Sequence, residues 1–414
     1  MSAELEPKIE RANTFHLYAD ISWMAFTLAV EWYYLQVYAI RMGATPLHLA
    51  VLTSGRALLL AIGSGLTGMW CRRYVNLVKA VSFPLLISRV LIYLGLALVP
   101  FAPSHQVDLL VGLVCLSAIP MGVSQGVFLS MLPTAVSRNR LARVVANRSI
   151  LMNGLVLLCM VFLGQMLEWF PKPENYQIAF GIGFLASLMS WWHVERIQVP
   201  NIVKVDRGTR RANVWANRPF RRFMIVVIAI NTSVFMAGSI GSLQLVRNLN
   251  ASDTWVSVFG ICEVAGAVVG TMRMDWLIRK FGPRWLIIAT TMATLFQPLV
   301  LGITPILPPF IFPELLFGAG WGIVNVLLYN QLVELVPPDD MADYAAMYQL
   351  IINMSLFVGP LIGTFLIENV MSISAALVLI GGLRFLAAVL AWGIRIGPVS
   401  TAGSSRVEAV TAAK

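Results

Sequence analysis

Long apolar runs recur along nearly the whole chain and constrain its fold more than any other feature. Residues 107–135, for example, read VDLLVGLVCLSAIPMGVSQGVFLSMLPTA, with a single charged residue. A run of about 20 apolar residues can cross the ~30 Å hydrocarbon core of a bilayer as a helix. Only 12% of the 414 residues are charged, against about 25% in soluble chains. Because the runs also lack the alternation of a closed barrel, we predict an all-α integral membrane protein.

Turn-forming clusters divide the apolar runs into twelve predicted transmembrane helices. FAPSHQ, PKPEN, NLNASD and VPPDD mark four of the breaks. The polar start of the chain shows no cleavable signal peptide, so we expect the first helix to direct insertion. The predicted organisation is a cytoplasmic N-terminal segment 1–15, a six-helix bundle 16–196, a basic cytoplasmic linker 197–219, a second six-helix bundle 220–396 and a cytoplasmic tail 397–414.

The distribution of basic residues predicts the topology. The net charge is +10, and most of the 30 lysines and arginines fall on loops that share one face of the membrane. The positive-inside rule assigns that face to the cytoplasm. We therefore expect a multi-pass protein of the plasma (inner) membrane with both termini in the cytoplasm. The basicity then reflects topology, and no nucleic-acid partner is expected.

The two halves of the chain carry traces of an internal repeat. Gly122 and Gly126 in MGVSQG align with Gly318 and Gly322 in FGAGWG. Duplicated bundles are a common plan among secondary transporters. The predicted fold is therefore twelve transmembrane helices, arranged as two pseudo-symmetric six-helix bundles around a central cavity.

A motif after the eighth predicted helix resembles a signature of the major facilitator superfamily. The stretch GTMRMDWLIRKFGPRW supplies a glycine, an acid and basic residues around a second glycine. Its spacing from the acid to the second glycine is longer than usual, and the first copy, GSGLTGMWCRRYVN, lacks the acid. The resemblance implies a transporter whose loop acid holds one conformation by pairing with a cation. The implied gating residues are Gly270, Asp275, Arg279, Gly282 and Arg284.

Glu31 lies in the middle of the apolar run FTLAVEWYYLQVYAI, where a charged side chain is costly. At helical spacing it shares one face with Tyr34 and Tyr38. The resemblance implies that the first and fourth helices of each half line the cavity. Their aromatic and amide side chains suit a ring-bearing or amphipathic small molecule, or else they pack between membrane helices. The candidate substrate-binding residues are Glu31, Tyr34, Tyr38, Gln125, Asn231, Trp321 and Asn325.

Other ionisable residues in the predicted membrane helices need partners. Glu31, Arg56 and Glu263 are candidates for proton coupling or for a buried ion pair. For each acid, three interpretations remain open: a proton carrier, a contact to a cationic substrate, or one end of a static ion pair. Arg89 and Arg384 are expected to tie helices together outside the cavity, with partners that the sequence does not identify.

Together these features predict a secondary active transporter that moves a small organic solute by alternating access, with protons as the simplest coupling ion. The chain has no Walker-type motif and its four cysteines are scattered singly, so we expect no enzyme, no cofactor and no metal site. The expected partners are the solute, the lipid bilayer and protons, and the expected state is a monomer. Two alternatives stay open: a non-transporting receptor or scaffold, and a flippase for lipids or hydrophobic compounds.

Overall fold

A computed structural model describes residues 7–71, 73–101, 105–171, 174–199, 213–336 and 341–394. This part of the chain is almost entirely helical and contains no strand. The predicted tail 397–414, most of the predicted linker 197–219 and the first six residues lie outside the described ranges.

Twelve long helices make up the described part of the chain, and three of them contain a π-helical turn. The first six are α1 (Pro7–Ala29, π turn Val30–Tyr34, Leu35–Arg41), α2 (Pro46–Cys71), α3 (Leu77–Arg89, π turn Val90–Leu94, Gly95–Leu98), α4 (Gln106–Ala135), α5 (Arg138–Trp169) and α6 (Glu174–Glu195). The second six are α7 (Arg218–Leu243, π turn Gln244–Asn248), α8 (Asp253–Met272), α9 (Pro283–Ile303), α10 (Ile311–Leu335), α11 (Met341–Asn369) and α12 (Ile373–Gly393). A short helix, Met274–Phe281, joins α8 to α9.

Ten of the described helices, all except α1 and α6, are long and apolar enough to cross a membrane. Because α1 and α6 pack against each other and against these ten, the structure is consistent with the predicted count of twelve. Successive helices run in opposite directions. We call the end with Pro7 and Gly393 the terminal side, and the end with Arg41 and Ile373 the far side.

The helices form two bundles with the same packing plan, as the repeat predicts. In the first bundle, α1–α6, α2 packs on α4, α3 on α6, and α1 on α5 and α6. The second bundle, α7–α12, repeats these contacts between α8 and α10, α9 and α12, and α7 with α11 and α12. The bundles meet through α2 against α11 and through α5 against α8. The predicted pseudo-symmetric arrangement of two six-helix bundles is therefore confirmed.

Glycines allow the closest helix approach in each bundle. A Cβ atom at Gly122 on α4 would collide with the backbone oxygen of Leu60 on α2. Its repeat partner, Gly318 on α10, has the same relation to the backbone oxygen of Glu263 on α8. Small residues let membrane helices approach closely and gain van der Waals contact. The aligned glycines of the two halves thus mark equivalent helix crossings.

A π turn changes the face of α1 in the last third of its length. The turn Val30–Tyr34 contains Glu31 and lies between two regular helical segments. A π turn makes i→i+5 hydrogen bonds and adds a residue to the turn, and such turns are frequent at functional sites. Residues on either side of it therefore do not follow the 3.6-residue spacing assumed from sequence.

The first turns of α1 are fastened to the other helices of the first bundle on the terminal side. The fully buried amide of Asn13 donates to the carbonyls of Ala135 (2.9 Å) and Gln198 (2.8 Å). Glu10 accepts hydrogen bonds from the Ser137 hydroxyl (2.6 Å) and backbone N–H (3.1 Å), at the start of α5. These contacts order the junction between α4 and α5 against α1.

We predict that Glu10→Gln lowers the free energy of unfolding at neutral pH by about 1 kcal/mol, because it replaces charge-assisted hydrogen bonds by neutral ones. The Ser137 hydroxyl, followed by its N–H and by Arg140, lowers the pKa of Glu10. A depressed folded-state pKa gives stability that is present at neutral pH and is lost as the pH falls through that pKa. Thermal unfolding in detergent between pH 7 and pH 3 should show the wild type and the variant converging at acid pH. A constant difference over that range would contradict the assignment.

Candidate functional site

A cavity of about 320 Å³ lies between the two bundles. Its wall combines aromatic rings with a few polar and ionisable groups, the usual character of a small-molecule site. The wall includes polar, ionisable and aromatic side chains from six helices: Trp32, Tyr33 and Gln36 of α1, Phe235 and Ser242 of α7, Glu263 of α8, Gln297 of α9, Glu314, Phe317 and Trp321 of α10, and Arg384 of α12.

Two carboxyl groups face this cavity from neighbouring helices. Glu314 on α10 is 6% exposed, and both of its carboxylate oxygens accept from the Gln297 amide at 3.2 Å. Glu263 on α8 lies within hydrogen-bonding reach of the Tyr33 hydroxyl and is close enough to Glu314 to interact with it electrostatically. The crossing of α8 and α10 at Gly318 brings the two acids together. The second bundle thus holds two neighbouring acidic side chains, Glu263 and Glu314, within its membrane-spanning helices.

Arg384 is the cation on the described wall of the cavity, and its partners are chiefly backbone carbonyls. The guanidinium is 1% exposed and donates to the carbonyls of Ser233 (3.4 Å), Val234 (3.3 Å) and Thr294. It also donates to Oε1 of Gln297 at 3.2 Å. As predicted, Arg384 ties helices together, here α7, α9 and α12. It nevertheless reaches the cavity, because its long side chain crosses between α7 and α9.

Gln297 links the guanidinium of Arg384 to the carboxylate of Glu314. Its amide nitrogen donates to Glu314 while its oxygen accepts from Arg384. The amide therefore has a fixed orientation, set by one charged neighbour on each side. This bridge joins Glu314 to the one guanidinium on the described wall, and Glu263 lies beside Glu314, so the charges of the cluster do not cancel when both acids are ionised.

Glu31 has a dedicated partner in the first bundle. It is 8% exposed and forms an ion pair with Arg56 of α2, and the Tyr93 hydroxyl of α3 donates to its other oxygen at 2.8 Å. Only a small void of about 10 Å³ adjoins this group, with Arg89 on its opposite wall. Arg89 in turn contacts Met24 Sδ at 2.7 Å and Ser190 at 3.3 Å. Of the three interpretations of Glu31, this geometry favours the static ion pair.

Tyr34 and Tyr38, predicted to face the cavity with Glu31, lie elsewhere. Both are buried, and Tyr38 stacks on Tyr176 with ring centroids 4.8 Å apart. The Tyr34 hydroxyl is hydrogen-bonded to Ser257 of α8 on the far side. The reason is the π turn, which moves Trp32, Tyr33 and Gln36 of α1 onto the cavity wall instead.

The other candidate residues are divided among several places. Trp321 lies on the cavity wall, stacked on Phe317, and Asn325 one turn away donates to the Trp321 carbonyl at 2.8 Å. Asn231 is buried and donates to the Val227 carbonyl of its own helix at 2.8 Å. Gln125 lines a separate cavity of about 340 Å³ inside the first bundle. Trp321 and Glu263 are thus the predicted residues that line the cavity between the bundles, whereas Glu31 and Arg56 pair with each other outside it.

Sequence reasoning left out of the site Tyr33, Gln297 and Arg384, and it placed Glu314 on the polar stripe of the tenth predicted helix without naming it as a candidate. Glu314 carried a usable signal, because it lies seven residues before Trp321 and so on the same helical face. Arg384 and Gln297 gave none, since their helices were expected outside the cavity. The position of Tyr33 on the cavity wall depends on the π turn, which the sequence pattern did not indicate.

The predicted gating loop forms the short helix between α8 and α9. Gly270 packs on Ala319 of α10, and Gly282 ends the short helix at φ +76°, a conformation that glycine adopts readily. Arg284 donates to the Trp392 carbonyl at 2.7 Å. Asp275 and Arg279 are exposed on the terminal side, and Asp275 forms no ion pair with any other described residue. The implied pairing of the loop acid is absent from this conformation.

The bundles are joined on the far side by a group of polar contacts that we call the far-side lock: Arg41, Tyr176 and Asp253. Arg41 of the first bundle forms an ion pair with Asp253 of the second at 2.8 Å. The Tyr176 hydroxyl donates to the same carboxylate at 2.7 Å. Among the described residues, the hydrogen bonds between bundles all come from the far-side portions of their helices. The cavity is therefore closed toward the far side.

Two arginines, one from each bundle, donate further hydrogen bonds to the opposite bundle on the far side. Arg41, at the end of α1, donates to the carbonyl of Ala251 in the loop after α7 at 3.2 Å. Arg247, at the end of α7, donates to the carbonyl of Ala44 in the loop after α1. Each bundle thus contributes one arginine to the other bundle's first far-side loop.

Comparison with known proteins identifies a family. The family model described as Major Facilitator Superfamily matches residues 15–354. The comparison with curated protein sequences gave no match.

Solved transporter structures share the fold. A mutant of the nucleoside transporter NupG is 10% identical, with a TM-score of 0.74 over 92% of this chain and 99% of that one. A bacterial homologue of the iron transporter ferroportin, in an inward-facing state, is 12% identical, with a TM-score of 0.70 over 95% and 99%. A bacterial homologue of the lysosomal transporter Spinster, inward-facing and occupied, is 14% identical, with a TM-score of 0.67 over 94% and 96%. At these identities the similarity concerns the fold.

We predict that Glu31→Gln destabilises the protein by about 3 kcal/mol, because it removes the buried carboxylate that neutralises the partly buried Arg56. The double variant Glu31→Gln with Arg56→Gln should recover part of this loss. Thermal unfolding of both variants in the same detergent measures the difference. Equal stability of the wild type and Glu31→Gln would exclude a static ion pair.

We also predict that Asp253→Asn opens the far-side lock. Loss of one buried ion pair, worth about 1.4 kcal/mol, should increase the far-side-open population roughly tenfold. A cysteine at Gly238, where a Cβ atom meets no neighbour within 4 Å, reports access when the native cysteines are replaced by serine. Its labelling by an impermeant maleimide from the far side should accelerate in Asp253→Asn. Asp108→Asn, which removes an exposed far-side contact to His48, is the matched control and should leave the labelling rate unchanged.

Proposed function

Because the chain belongs to the Major Facilitator Superfamily, we propose that this multi-pass membrane transporter is a secondary active transporter that moves a small organic solute by alternating access. The observation that carries the proposal is the cavity between the bundles, closed by the far-side lock and walled by aromatic and ionisable side chains. Rocking of one bundle against the other would expose this site to each side in turn.

The wall of the cavity favours a solute that carries a ring. Tyr33, Phe235, Phe317 and Trp321 present aromatic surfaces, and Phe235 meets Trp321 edge to face with centroids 5.9 Å apart. Aromatic walls hold planar groups by stacking, while a few polar groups fix their orientation. Gln36 and Ser242, hydrogen-bonded to each other at 2.8 Å across the bundles, offer such polar groups.

Proton coupling is assigned to the second bundle. Glu314 is linked to Arg384 through Gln297 and Glu263 lies beside Glu314, so on the described wall two acids face one guanidinium and one acid lacks a counter-charge. An uncompensated carboxylate is costly inside a membrane, and a proton is the simplest partner that removes this cost. Glu31 is neutralised by Arg56 and therefore serves structure rather than coupling.

The basic residues give the proposed orientation. Arg140, Arg221, Arg279 and Arg284 belong to the terminal side, which the positive-inside rule assigns to the cytoplasm. With that orientation, the proposed state is a monomer of the plasma (inner) membrane that is closed toward the outside by its far-side lock.

The proposal predicts uptake into liposomes driven by a pH gradient. The purified protein, reconstituted in liposomes, is tested with radiolabelled nucleosides, sugars, amino acids, organic acids and ring-bearing organic cations. One class should accumulate above its equilibrium level under a pH gradient, and a protonophore should abolish the accumulation. If no class exchanges in any gradient, a receptor or scaffold on this fold becomes the better interpretation.

For the solute so identified, Glu314→Gln should reduce accumulation to the equilibrium level while solute exchange continues. The reason is that a glutamine cannot carry the coupling proton but can keep the hydrogen bond to Gln297. Glu174→Gln, the same substitution at an exposed position at the start of α6, serves as a control for reconstitution and should accumulate normally. Equal accumulation by Glu314→Gln and the wild type would move coupling away from this pair.

A further inference from the structure

A groove of about 570 Å³ lies on the outside of the first bundle, separate from the cavity between the bundles. It is formed by α2, α3 and α4, and its described lining is apolar except at one end. Several lining side chains are exposed large hydrophobics, among them Met69 (60%), Phe83 (52%) and Leu116 (53%). In a membrane helix such a face is directed to lipid.

The groove runs along its helices from the terminal side toward the middle of the membrane. Its lining extends from Arg73 to Leu66 at the end of α2, and from Phe83 to Leu91 on α3. Eight or nine helical residues correspond to about 12 Å at 1.5 Å per residue. One leaflet of a bilayer has about half of the ~30 Å hydrocarbon thickness. The groove therefore has the length and direction of an acyl chain in one leaflet.

The end of the groove on the terminal side is ordered and charged. Trp70 donates its indole N–H to the Ala80 carbonyl at 2.9 Å and stacks on Phe83 at a centroid distance of 6.1 Å. Beside it, Arg73 is exposed and is the charged residue among the described lining. It lies two residues beyond the last residue of α2, at the end of a helix long and apolar enough to cross the membrane. A cation at this position complements an anionic headgroup.

We propose that this groove binds one anionic phospholipid, with an acyl chain between α2, α3 and α4 and its phosphate on Arg73. A neutral solute would leave Arg73 without a partner, and a water-soluble anion would leave the apolar groove unfilled. A phospholipid would fill the apolar groove and would also give Arg73 an anionic partner. The site is independent of the solute cavity, so it can be tested whatever the transported solute is.

Such a lipid would lie directly behind a helix that joins the two bundles. α2 forms the groove with one face and packs on α11 of the second bundle with another. A chain held in the groove supports α2 in the position seen here.

Native mass spectrometry of the detergent-purified protein tests the site directly. The protein is incubated with phosphatidylglycerol and phosphatidylethanolamine of identical acyl chains, and the retained lipid is counted. The wild type should retain one phosphatidylglycerol in preference to phosphatidylethanolamine. Arg73→Gln should reduce that preference about fivefold, the effect of one basic residue on an anionic lipid. Arg221→Gln, which removes an exposed arginine at the start of α7, is the matched control and should keep the preference.

A second pair of variants tests the groove itself. Leu116→Trp fills the groove and should reduce retention of both lipids, whereas Leu158→Trp, at a 66% exposed position of α5, should not. Unchanged lipid retention in both Arg73→Gln and Leu116→Trp would overturn the proposal. A change from dimer to monomer in Leu116→Trp alone would assign the groove to a second copy of the chain and would also overturn it. Melting temperatures within the wild-type range, measured without lipid, establish that the variants are folded.

Discussion

Charge inside a membrane must be neutralised by the protein itself, and the remaining architecture depends on how each bundle meets this constraint. The first bundle pairs two of its buried acids with arginines: Glu31 with Arg56, and Asp20 with Arg148 at 3.0 Å. The second bundle links Glu314 to Arg384 through Gln297 and places Glu263 beside Glu314. Both bundles follow the same helix packing plan. The duplicated scaffold has therefore kept its packing plan, while the two copies differ in how their buried acids are compensated.

The parts of the fold that sequence predicted are those controlled by local composition or by repetition. Apolar run length gave the membrane helices, and the pairing of Gly122 with Gly318 marked equivalent helix crossings in the two bundles. The placement of Trp321 on the cavity wall followed from the resemblance, which assigned the fourth helix of each half to the cavity. The membrane helices need only the cost of placing side chains in lipid, whereas the placement of Trp321 needs the helical period together with the resemblance.

The site itself depended on features that the helical period does not encode. The π turn at Val30–Tyr34 turned Tyr33 toward the second bundle and left Tyr34 in the far-side contact. Arg384 reached the cavity by crossing between two helices, a path set by the carbonyls that receive its N–H groups. Both effects arise from tertiary packing. The sequence indicates that Glu31 and Glu263 need partners. Only the packed helices show that Glu31 is paired with an arginine, whereas Glu263 lies beside a second acid.

The reciprocal arginines on the far side have a consequence for how the chain can vary. Arg41 and Arg247 each donate to a main-chain oxygen, at Ala251 and Ala44, in the loop of the opposite bundle. Any residue at 44 or 251 supplies the same oxygen, so these contacts tolerate substitution in the loops. They do not tolerate a change in loop length, because one inserted residue would move the oxygen out of reach. Natural variation in these two connections should therefore appear as exchanges of side chains at constant length, and insertions should accumulate in the other connections on the far side.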